Sequence, residues 1–363
     1  MAIVKLNLDK RRVSKFLTLL MKDLRKEYSN IGIITDKDGT VILNNELFRT
    51  LQRMKKSTSA NIWVVANSGR TIGDMIGALD KVEVPQECFD FIIGDNGGMA
   101  IDVKKKKELF KHSMEKEVAE QIIEKFSKQG GTSQNIRLAN GSNIIAHNHR
   151  EVKKYYRKRE NVLFVRDIKK AEIGDITKIT LTGSKEQIDD IIDYVKQNLP
   201  QYETHQGKTS FPKEKYNNYR VDCTSKNNKG QAMEYIVQKL NLDRCIVLGN
   251  DLNDLSMFEV ALKRGDHIVI ANNEHLEITD ELIQRLKEFC KEERISWLKS
   301  NILVLEEQNV NNFLQQVLMV LGTVNKGKTS RKIFMDRLKY KQESQMVNVT
   351  LNAQKDKIKK KER

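Results

Sequence analysis

The chain has 363 residues, of which 39% are hydrophobic and 31% charged, and its formal net charge is +15. No stretch approaches the roughly 20 apolar residues of a membrane-spanning helix, and the four cysteines lack the close spacing of a zinc site or a disulfide framework. These features argue against an integral membrane protein and predict a cytoplasmic protein of about two domains with free thiols.

The first thirty residues predict an amphipathic helix. Apolar side chains recur at helical spacing in this segment at Val13, Phe16, Leu17, Leu20, Met21 and Leu24. The segment has neither the long apolar region nor the small-residue cleavage site of a secretory signal peptide. We therefore expect a helix at 1–30 rather than a cleaved leader.

Strand and helix signals alternate in the next part of the chain. Continuous apolar runs predict buried strands at 31–35, 61–67 and 89–98, and helical patterns follow the first two. The alternation returns later, with strands at 244–251 and 267–272. Apolar strands joined by helices are typical of a parallel sheet covered on both faces. We predict an α/β fold with a Rossmann-like core.

The pattern changes between residues 101 and 222. Alternating strands such as TKITLTG are mixed there with helices such as KEQIDDIIDYVKQNL. This mixture predicts an inserted α+β domain, because the regular strand–helix alternation of a parallel sheet is interrupted. The predicted core then consists of residues 31–100 and 223–322.

The positive charge is concentrated at the end of the chain. Residues 323–363 contain thirteen Lys or Arg against four Asp or Glu, a local charge of +9. Few large apolar side chains accompany these charges, so we expect a mobile basic tail. Such a tail is either a solubilising segment or a binding segment for an anionic partner such as nucleic acid.

Two aspartates follow the first predicted strand. The segment IGIITDKDGT contains Asp36 and Asp38, one residue apart in the same loop. Carboxylates this close repel each other unless a divalent cation, a reacting phosphate or solvent compensates their charge. A calcium-binding EF-hand is excluded, because its sixth and twelfth positions counted from Asp36 are Val41 and Leu47 instead of Gly and Glu. An inert, solvated turn is the alternative.

Three further polar segments lie where predicted strands end or helices begin, the usual position of sites in open α/β sheets. NSGR (67–70) offers a hydroxyl and backbone N–H groups to an anion, although Ser68 would also serve as an ordinary helix cap. Lys229 precedes a helix, where its charge is unfavourable unless an anion is nearby. GNDLND (249–254) either supplies oxygen ligands to a hard cation or forms an Asx-rich turn.

In this order, the four segments resemble the signature motifs of the haloacid dehalogenase superfamily of phosphohydrolases. DKDGT matches the first motif, while FIIGDNGGMAI and SKNNKGQAM resemble the entry into and the exit from the large C2-type cap of its Cof-like and sucrose-phosphatase-like branch. The resemblance spans about residues 31–322. It implies a hydrolase core with an inserted cap, Mg²⁺ as the cofactor, and hydrolysis of a small phosphorylated metabolite such as a sugar phosphate.

The resemblance also implies a role for individual residues. Asp36 is the expected nucleophile, which forms an aspartyl-phosphate, and Asp38 is the expected acid and base. Four residues are expected at the phosphate, namely Thr40, Ser68, Gly69 and Lys229. The expected metal ligands are Asp36, Asp38, Asn250, Asp251 and Asp254.

One position departs from the pattern of the family. Relatives have Gly-Asp at the start of the fourth motif, whereas this chain has Gly249-Asn250 followed by Asp251. An amide oxygen ligates Mg²⁺ with one charge less, and a shifted loop would let Asp251 ligate in its place. The other expected residues are all present, so we interpret the site as active.

Three other functions stay open at this point. They are a phosphomutase of related fold, a nucleic-acid-associated protein that uses the basic tail, and an interaction scaffold without catalysis. Within the insert, Arg137, Lys178 and Lys208 are candidate contacts to an anionic substrate. The oligomeric state and the identity of the phosphate ester have no readable signal in the sequence.

Overall fold

The fold is given by a computed structural model, which describes residues 13–20, 30–41, 48–49, 51–52, 55, 61–157, 159–168, 175–209, 218–272, 276–297 and 301–324. Residues 13–20 are helical, and three of their apolar side chains, Phe16, Leu17 and Leu20, are buried. The rest of the predicted N-terminal helix up to residue 29 lies outside the described residues. The predicted basic tail lies outside them as well, apart from its first two positions.

The strands, in chain order, are β1 (Asn30–Thr35), β2 (Asn61–Asn67), β3 (Phe91–Gly94), β4 (Met99–Asp102), β5 (Lys107–Lys111), β6 (Ile136–Ala139), β7 (Ile144–His147), β8 (Val162–Val165), β9 (Lys178–Gly183), β10 (Tyr202–Thr209), β11 (Asn218–Ser225), β12 (Arg244–Gly249), β13 (His267–Asn272) and β14 (Asn301–Glu306). The helices with defined bounds are α1 (Ile72–Lys81), α2 (Lys116–Lys128), α3 (Arg150–Tyr156), α4 (Lys185–Asn198), α5 (Lys229–Leu240), α6 (Leu255–Arg264), α7 (Leu276–Glu292) and α8 (Glu307–Val324). None of the described helices is long and apolar enough to cross a membrane.

The first sheet has the strand order β14-β13-β12-β1-β2-β3-β4-β5, and its strands from β14 to β3 are parallel. Its central strands are apolar on both faces. On β1, Ile31 and Ile33 belong to one buried cluster, which includes side chains of α1 and α8, while Ile34 belongs to another, which includes side chains of α5, α6 and α7. The predicted α/β fold with a parallel sheet covered on both faces is confirmed.

Two strands at one edge of this sheet extend beyond residue 100, where the sequence predicts the boundary between the core and the insert. β4 pairs antiparallel with β3, and β5 pairs antiparallel with β4, so that residues 101–111 continue the first sheet. A tight turn causes this reversal, because Asp95, Asn96 and Gly97 all have positive φ angles between 52° and 104°. Sequence reasoning took this glycine-rich turn as the direct entry into the insert.

The insert forms a second sheet with the strand order β10-β11-β9-β6-β7-β8. One face is apolar and packs on α2 and α4 through side chains such as Ile179 and Val221. The opposite face is polar, because polar residues alternate with these apolar ones along β9 and β11. This face carries Lys178, Thr180 and Thr182 of β9 and Arg220, Asp222 and Thr224 of β11.

The two chain crossings between the sheets lie against each other. The outgoing crossing follows β5 and the returning crossing follows β11, and Ser225 Oγ donates to His112 O at 3.4 Å between them. Asn228, which caps α5 after the returning crossing, also lies against Gly97 in the turn between β3 and β4. A Cβ atom on Gly97 would lie 2.4 Å from the backbone oxygen of Asn228, a distance that real Cβ atoms do not adopt. Glycine therefore serves two needs at position 97, the positive φ angle and the close approach.

Candidate active site

A cavity of about 250 Å³ lies between the first sheet and the polar face of the second. Its core side is formed by residues that directly follow β1, β2 and β12, at the carboxyl ends of parallel strands. Its other side is formed by residues of β6, β9 and β11 and by α3. This is the edge of an open α/β sheet at which ligands usually bind.

Asp36 lies on the core side of the cavity and is joined to a buried lysine. Lys229 Nζ donates to Asp36 Oδ1 at 2.8 Å and to Asp254 Oδ1 at 2.6 Å. The side chains of Lys229 and Asp254 are fully buried, and that of Asp36 is 8% exposed. One cation is therefore held between two carboxylates behind the cavity wall, which fixes the orientation of Asp36.

The local sequence places Lys229 at this point. Asn228 accepts a hydrogen bond from Gln231 N at 3.0 Å and so caps α5, which makes Lys229 the first residue of the helix. A cation is normally unfavourable at a helix N-terminus, where the backbone dipole is positive. The two carboxylates supply the anions that this position requires.

Burial dominates the electrostatics of this cluster. It raises the pKa of Asp36 to about 7, although the charge of Lys229 acts in the opposite direction. Burial by itself would lower the pKa of Lys229, but the charges of Asp254 and Asp36 raise it above its ordinary value. Lys229 therefore stays protonated, and ionised Asp36 gains from any further positive charge that enters the cavity.

Asp38 is held by two basic residues. Arg70 donates through Nε and Nη2 to both carboxylate oxygens, and Lys37 Nζ lies 2.7 Å from Oδ1. Burial would raise the pKa of Asp38, but the hydrogen bonds and charge of Arg70, together with Lys37, hold it below its usual range. Asp38 is consequently a carboxylate that stays ionised in the geometry of this structure. Gly39, which follows it with a φ angle of 73°, supports the turn.

Ser68 and Gly69 form the second segment of the core side. Ser68 is buried at the end of β2, and its Oγ accepts a hydrogen bond from Arg70 N at 3.2 Å. The residue that caps α1 is Thr71, whose Oγ1 accepts from Asp74 N at 3.0 Å. The alternative interpretation of Ser68 as an ordinary helix cap is therefore wrong, and its hydroxyl faces the cavity.

The fourth segment is a loop organised by Asp254. Asp254 Oδ2 accepts from Asn250 N at 2.7 Å and from Asp251 N at 3.1 Å, while its Oδ1 is bound to Lys229. Thr40 Oγ1 donates to Asn250 Oδ1 at 3.0 Å, which joins this loop to the loop of Asp36. Both oxygens of Asp254 are thus used by the protein, so Asp254 fits an orienting role better than direct metal ligation.

Three of the expected ligands suit a hard cation such as Mg²⁺. Asp36, Asn250 and Asp251 present carboxylate or amide oxygens to the cavity, and oxygen ligands are the ones this ion prefers. Among the described residues, only Lys229 donates a side-chain hydrogen bond to the Asp36 carboxylate. Burial raises the pKa of both Asp36 and Asp251, and a cation would offset that cost. The residues present therefore fit the ion.

The expected site residues form two layers. Six of them line the cavity, namely Asp36, Asp38, Ser68, Gly69, Asn250 and Asp251. Thr40, Lys229 and Asp254 are buried behind this wall and bind residues of the first layer. Lys229 was expected to bind phosphate itself, whereas here it binds the carboxylate of Asp36.

The second sheet adds residues to the cavity that sequence reasoning had not singled out. Arg137 and Lys178 line the cavity as expected, and the side chain of Lys208 lies outside the described residues. The unforeseen lining residues include Arg70 on the core side and, on the opposite side, Arg159, Arg220 and Asp222. The sequence carries one signal for Arg220 and Asp222. Polar and apolar residues alternate in YRVDCTS, which predicts a strand with one polar face.

Polar contacts hold the second sheet against the core loops. Arg159 Nη1 donates to Asp74 Oδ2 at 2.5 Å. Lys178 Nζ donates to Gly69 O at 2.5 Å and lies 3.2 Å from Asp95 Oδ1 as an ion pair. The second sheet therefore covers the carboxyl end of the first and closes the cavity on that side.

Comparisons with known proteins agree with this architecture. A model of the family described as haloacid dehalogenase-like hydrolase matches residues 33–277. Mannosylfructose-phosphate phosphatase from Agrobacterium fabrum is 28% identical over 243 residues, which cover 66% of this chain and 82% of that protein.

Solved structures of low sequence identity share the fold. A haloacid dehalogenase-like hydrolase from Bacteroides thetaiotaomicron superposes with a TM-score of 0.52 at 18% identity, covering 72% of this chain and all of that one. An HAD/COF-like hydrolase from Plasmodium vivax superposes with a TM-score of 0.57 at 13% identity, covering 83% of this chain and 99% of that one.

Proposed function

Because the chain belongs to the family of haloacid dehalogenase-like hydrolases, we propose that it is a Mg²⁺-dependent phosphatase that releases inorganic phosphate from a small sugar phosphate. The observation that carries this proposal is the position of Asp36. Its carboxylate faces the cavity, is oriented by the buried Lys229, and has Asp38 in the same loop. The substrate class is supported by the name of the Agrobacterium fabrum phosphatase.

The proposed reaction has two steps, and Asp36 is the nucleophile in the first. An oxygen of its carboxylate attacks phosphorus and the ester P–O bond breaks. Asp38, which takes up a proton once its contact with Arg70 loosens, gives that proton to the leaving alkoxide. In the second step Asp38 takes a proton from water, whose oxygen attacks phosphorus, and Asp36 is regenerated as inorganic phosphate leaves. The low pKa that Arg70 imposes on Asp38 suits this second step, in which Asp38 acts as a base.

The other residues of the site position these groups. Lys229 and Asp254 hold Asp36 and the fourth loop in place, and Ser68 offers its hydroxyl to a phosphate oxygen. Asp36, Asn250 and Asp251 would hold Mg²⁺. When bound, this ion supplies positive charge that offsets the repulsion between the carboxylates and the phosphate.

The size of the cavity supports a small substrate. At about 250 Å³ it is close to the lower end of the range of roughly 300–1,000 Å³ that is usual for ligand pockets. The wall contains arginine, aspartate, threonine and tyrosine side chains, which suit the hydroxyl groups of a sugar better than an apolar ligand. A phosphorylated monosaccharide or a molecule of similar size fits this description.

We further propose that the protein works in a reducing compartment such as the cytoplasm. Cys88, Cys223 and Cys245 are buried thiols outside any disulfide. Buried thiols within a packed core are typical of proteins that are kept reduced.

Phosphate release from a panel of phosphorylated metabolites, with and without Mg²⁺, tests the proposal. We expect Mg²⁺-dependent release that is abolished in Asp36→Asn and reduced by about 10²–10⁴-fold in Asp38→Asn. Thermal unfolding of both variants serves as the control for folding. Activity of Asp36→Asn at the wild-type level would rule out the aspartyl-phosphate mechanism. Release that is independent of Mg²⁺ would rule out the cofactor.

A further inference from the structure

The two sides of the cavity differ in charge. The core side contributes the carboxylates of Asp36, Asp38 and Asp251, the first and last of which would face a metal ion and a phosphate. Of the strand residues on the opposite side, Arg137, Lys178 and Arg220 are cationic, and Asp222 is the one carboxylate among the described residues that line it. The side of the cavity formed by the second sheet is therefore rich in positive charge.

The guanidinium of Arg220 has one buried N–H group without a hydrogen bond in the part of the chain that the structure describes. Its buried Nε atom has no hydrogen-bond partner among the described residues, and it lies 3.8 Å from Asp222 Oδ2, beyond hydrogen-bond distance. Asp222 is instead bound by the hydroxyl of Thr180 at 2.6 Å. An N–H group that is buried without an acceptor is costly. The side chain of Arg220 as a whole is 38% exposed and lines the cavity, so its other N–H groups are available to a ligand.

The neighbouring strand β10 has a glycine beside Arg220, which leaves room for its guanidinium. Gly207 on β10 is directly paired with Arg220 on β11. A Cβ atom on Gly207 would lie 3.2 Å from Arg220 Nη2, so the guanidinium extends across the glycine. A Cβ atom at position 207 would make the guanidinium shift by a few tenths of an ångström.

Arg137 lies on the same face of the second sheet as Arg220, on β6, with β9 between the two strands. Arg137 Nη2 donates to Thr182 Oγ1 at 3.2 Å, and Thr182 is the direct cross-strand partner of Arg220. Arg137 is only 7% exposed. Thr182 lies on the strand between those that carry the two arginines, and both arginine side chains line the cavity.

We propose that Arg137 and Arg220 bind a second anionic group of the substrate, so that the enzyme acts on a sugar phosphate that also carries a carboxylate or another phosphate. This inference rests on the proposed phosphatase function and specifies its substrate class. The phosphate ester lies at Asp36, and the second anion lies against the polar face of the second sheet. Arginine is well suited to this task, because its planar fork matches the oxygens of carboxylates and phosphates.

Three test compounds distinguish the sources of the second anion. Glucose 6-phosphate has none, 6-phosphogluconate has a carboxylate at carbon 1, and glucose 1,6-bisphosphate has a phosphate there. We expect kcat/KM for at least one of the two doubly anionic compounds to exceed that for glucose 6-phosphate by about tenfold or more, as expected for a charge-assisted pair of hydrogen bonds. A preference for glucose 6-phosphate, or equal rates on all three, would overturn the proposal.

Variants of Arg220 test whether this residue causes the preference for doubly anionic compounds over glucose 6-phosphate. Arg220→Gln should reduce the ratio of kcat/KM values by about tenfold, and Arg220→Lys, which keeps the charge but loses the fork, should retain part of it. Arg166→Gln is the matched control, because Arg166 is exposed after β8 at the far edge of the second sheet. An unchanged ratio in a folded Arg220→Gln protein would refute the role of Arg220.

A binding measurement tests the second-anion site separately from the proposed phosphatase activity. Calorimetric titration with the same three compounds in the presence of Mg²⁺, carried out on the Asp36→Asn protein with and without Arg220→Gln, measures binding without heat from turnover. Absence of phosphate release from every compound would refute the phosphatase. Tighter binding of a doubly anionic compound, weakened in Arg220→Gln, would still support the anion site, whereas equal or absent binding of all three would refute it.

Discussion

The guanidinium of Arg70 donates to both carboxylate oxygens of Asp38, with Nη2 at 2.9 Å from Oδ1. This contact joins the loop after β2 to the loop after β1. It also keeps Asp38 ionised, so the contact must loosen before Asp38 can carry a proton to a leaving group. Arg70 thus orients the proposed acid and base and limits when it can act as an acid.

We expect Arg70→Gln to lower kcat by about tenfold to a hundredfold with a smaller change in KM, because Asp38 loses its orientation. Steady-state kinetics on the best substrate of the panel measures this split. Lys37→Gln is the matched control, since Lys37 makes a single ion pair with the half-exposed Asp38 and such pairs contribute little. We expect it to change kcat by less than about twofold. Equal effects of the two variants would contradict the role of Arg70.

The amide of Asn250 provides a test of the metal site. Its oxygen accepts a hydrogen bond from Thr40, which a carboxylate would also accept, so Asn250→Asp should preserve the loop. We expect this substitution to tighten Mg²⁺ binding several-fold by adding one negative charge, and we expect Asp251→Asn to weaken it. Titration of activity and of calorimetric heat with Mg²⁺ measures both. A lack of effect in both variants would mean that the ion does not bind at this loop.

Position 97 and position 77 form a matched pair of glycines for stability measurements. Gly97→Ala should lower the free energy of unfolding by at least about 2 kcal/mol, because its φ angle of 104° is strained for alanine and its Cβ would collide with the backbone of Asn228. Gly77 lies within α1, and a Cβ atom at this position would have no neighbour within 4 Å among the described residues. Gly77→Ala should raise the free energy of unfolding by about 0.5–1 kcal/mol. Chemical denaturation of both variants checks these opposite signs.

His205 should make the protein less stable in acid. Burial lowers the pKa of His205 to about 4 from its ordinary 6.5, with Asp222 opposing and nearby cations assisting the shift. Between these two pH values the unfolded chain binds a proton that the folded chain does not, so stability falls as the pH decreases through this window. The loss should approach about 3 kcal/mol near pH 4.

His205→Gln isolates this contribution, because glutamine does not titrate and can still bond the hydroxyl of Thr224, which lies 3.3 Å from the histidine Nε2. Urea unfolding of both proteins from pH 7.5 to 4 should show a smaller decline for the variant. Parallel declines would mean that His205 has the same proton affinity in the folded and unfolded chains.

The core of the fold was predictable from the sequence because its strands are apolar on both faces. The predicted runs 31–35 and 61–67 agree closely with β1 and β2, and the predicted strand 267–272 coincides with β13. Residues that directly follow such strands must meet at one edge of the sheet, so Asp36, Ser68 and Asn250 were expected to be neighbours. All three line the same cavity.

The contribution of the second sheet was less accessible to sequence reasoning. Arg220 and Asp222 alternate with apolar residues in β11, as do the residues of many exposed strands, so the pattern does not tell a cavity wall from a solvated face. The strand β4 was not predictable from the sequence for a different reason. Its direction depends on the positive φ angles of Asp95 and Asn96, which residues other than glycine adopt rarely. Tertiary contacts decide both features.

The contact of Ser225 with His112 means that the polypeptide leaves the first sheet after β5 and returns to it after β11 at almost the same point. A segment attached in this way can be removed or exchanged as one unit, because its removal leaves only a short gap between the two ends of the core. We expect a core joined directly from the end of β5 to the start of α5 through a few glycines to keep all eight strands of the first sheet. The same junction would accept the inserted segment of another hydrolase, so that new substrate-binding walls can be placed over one catalytic loop set.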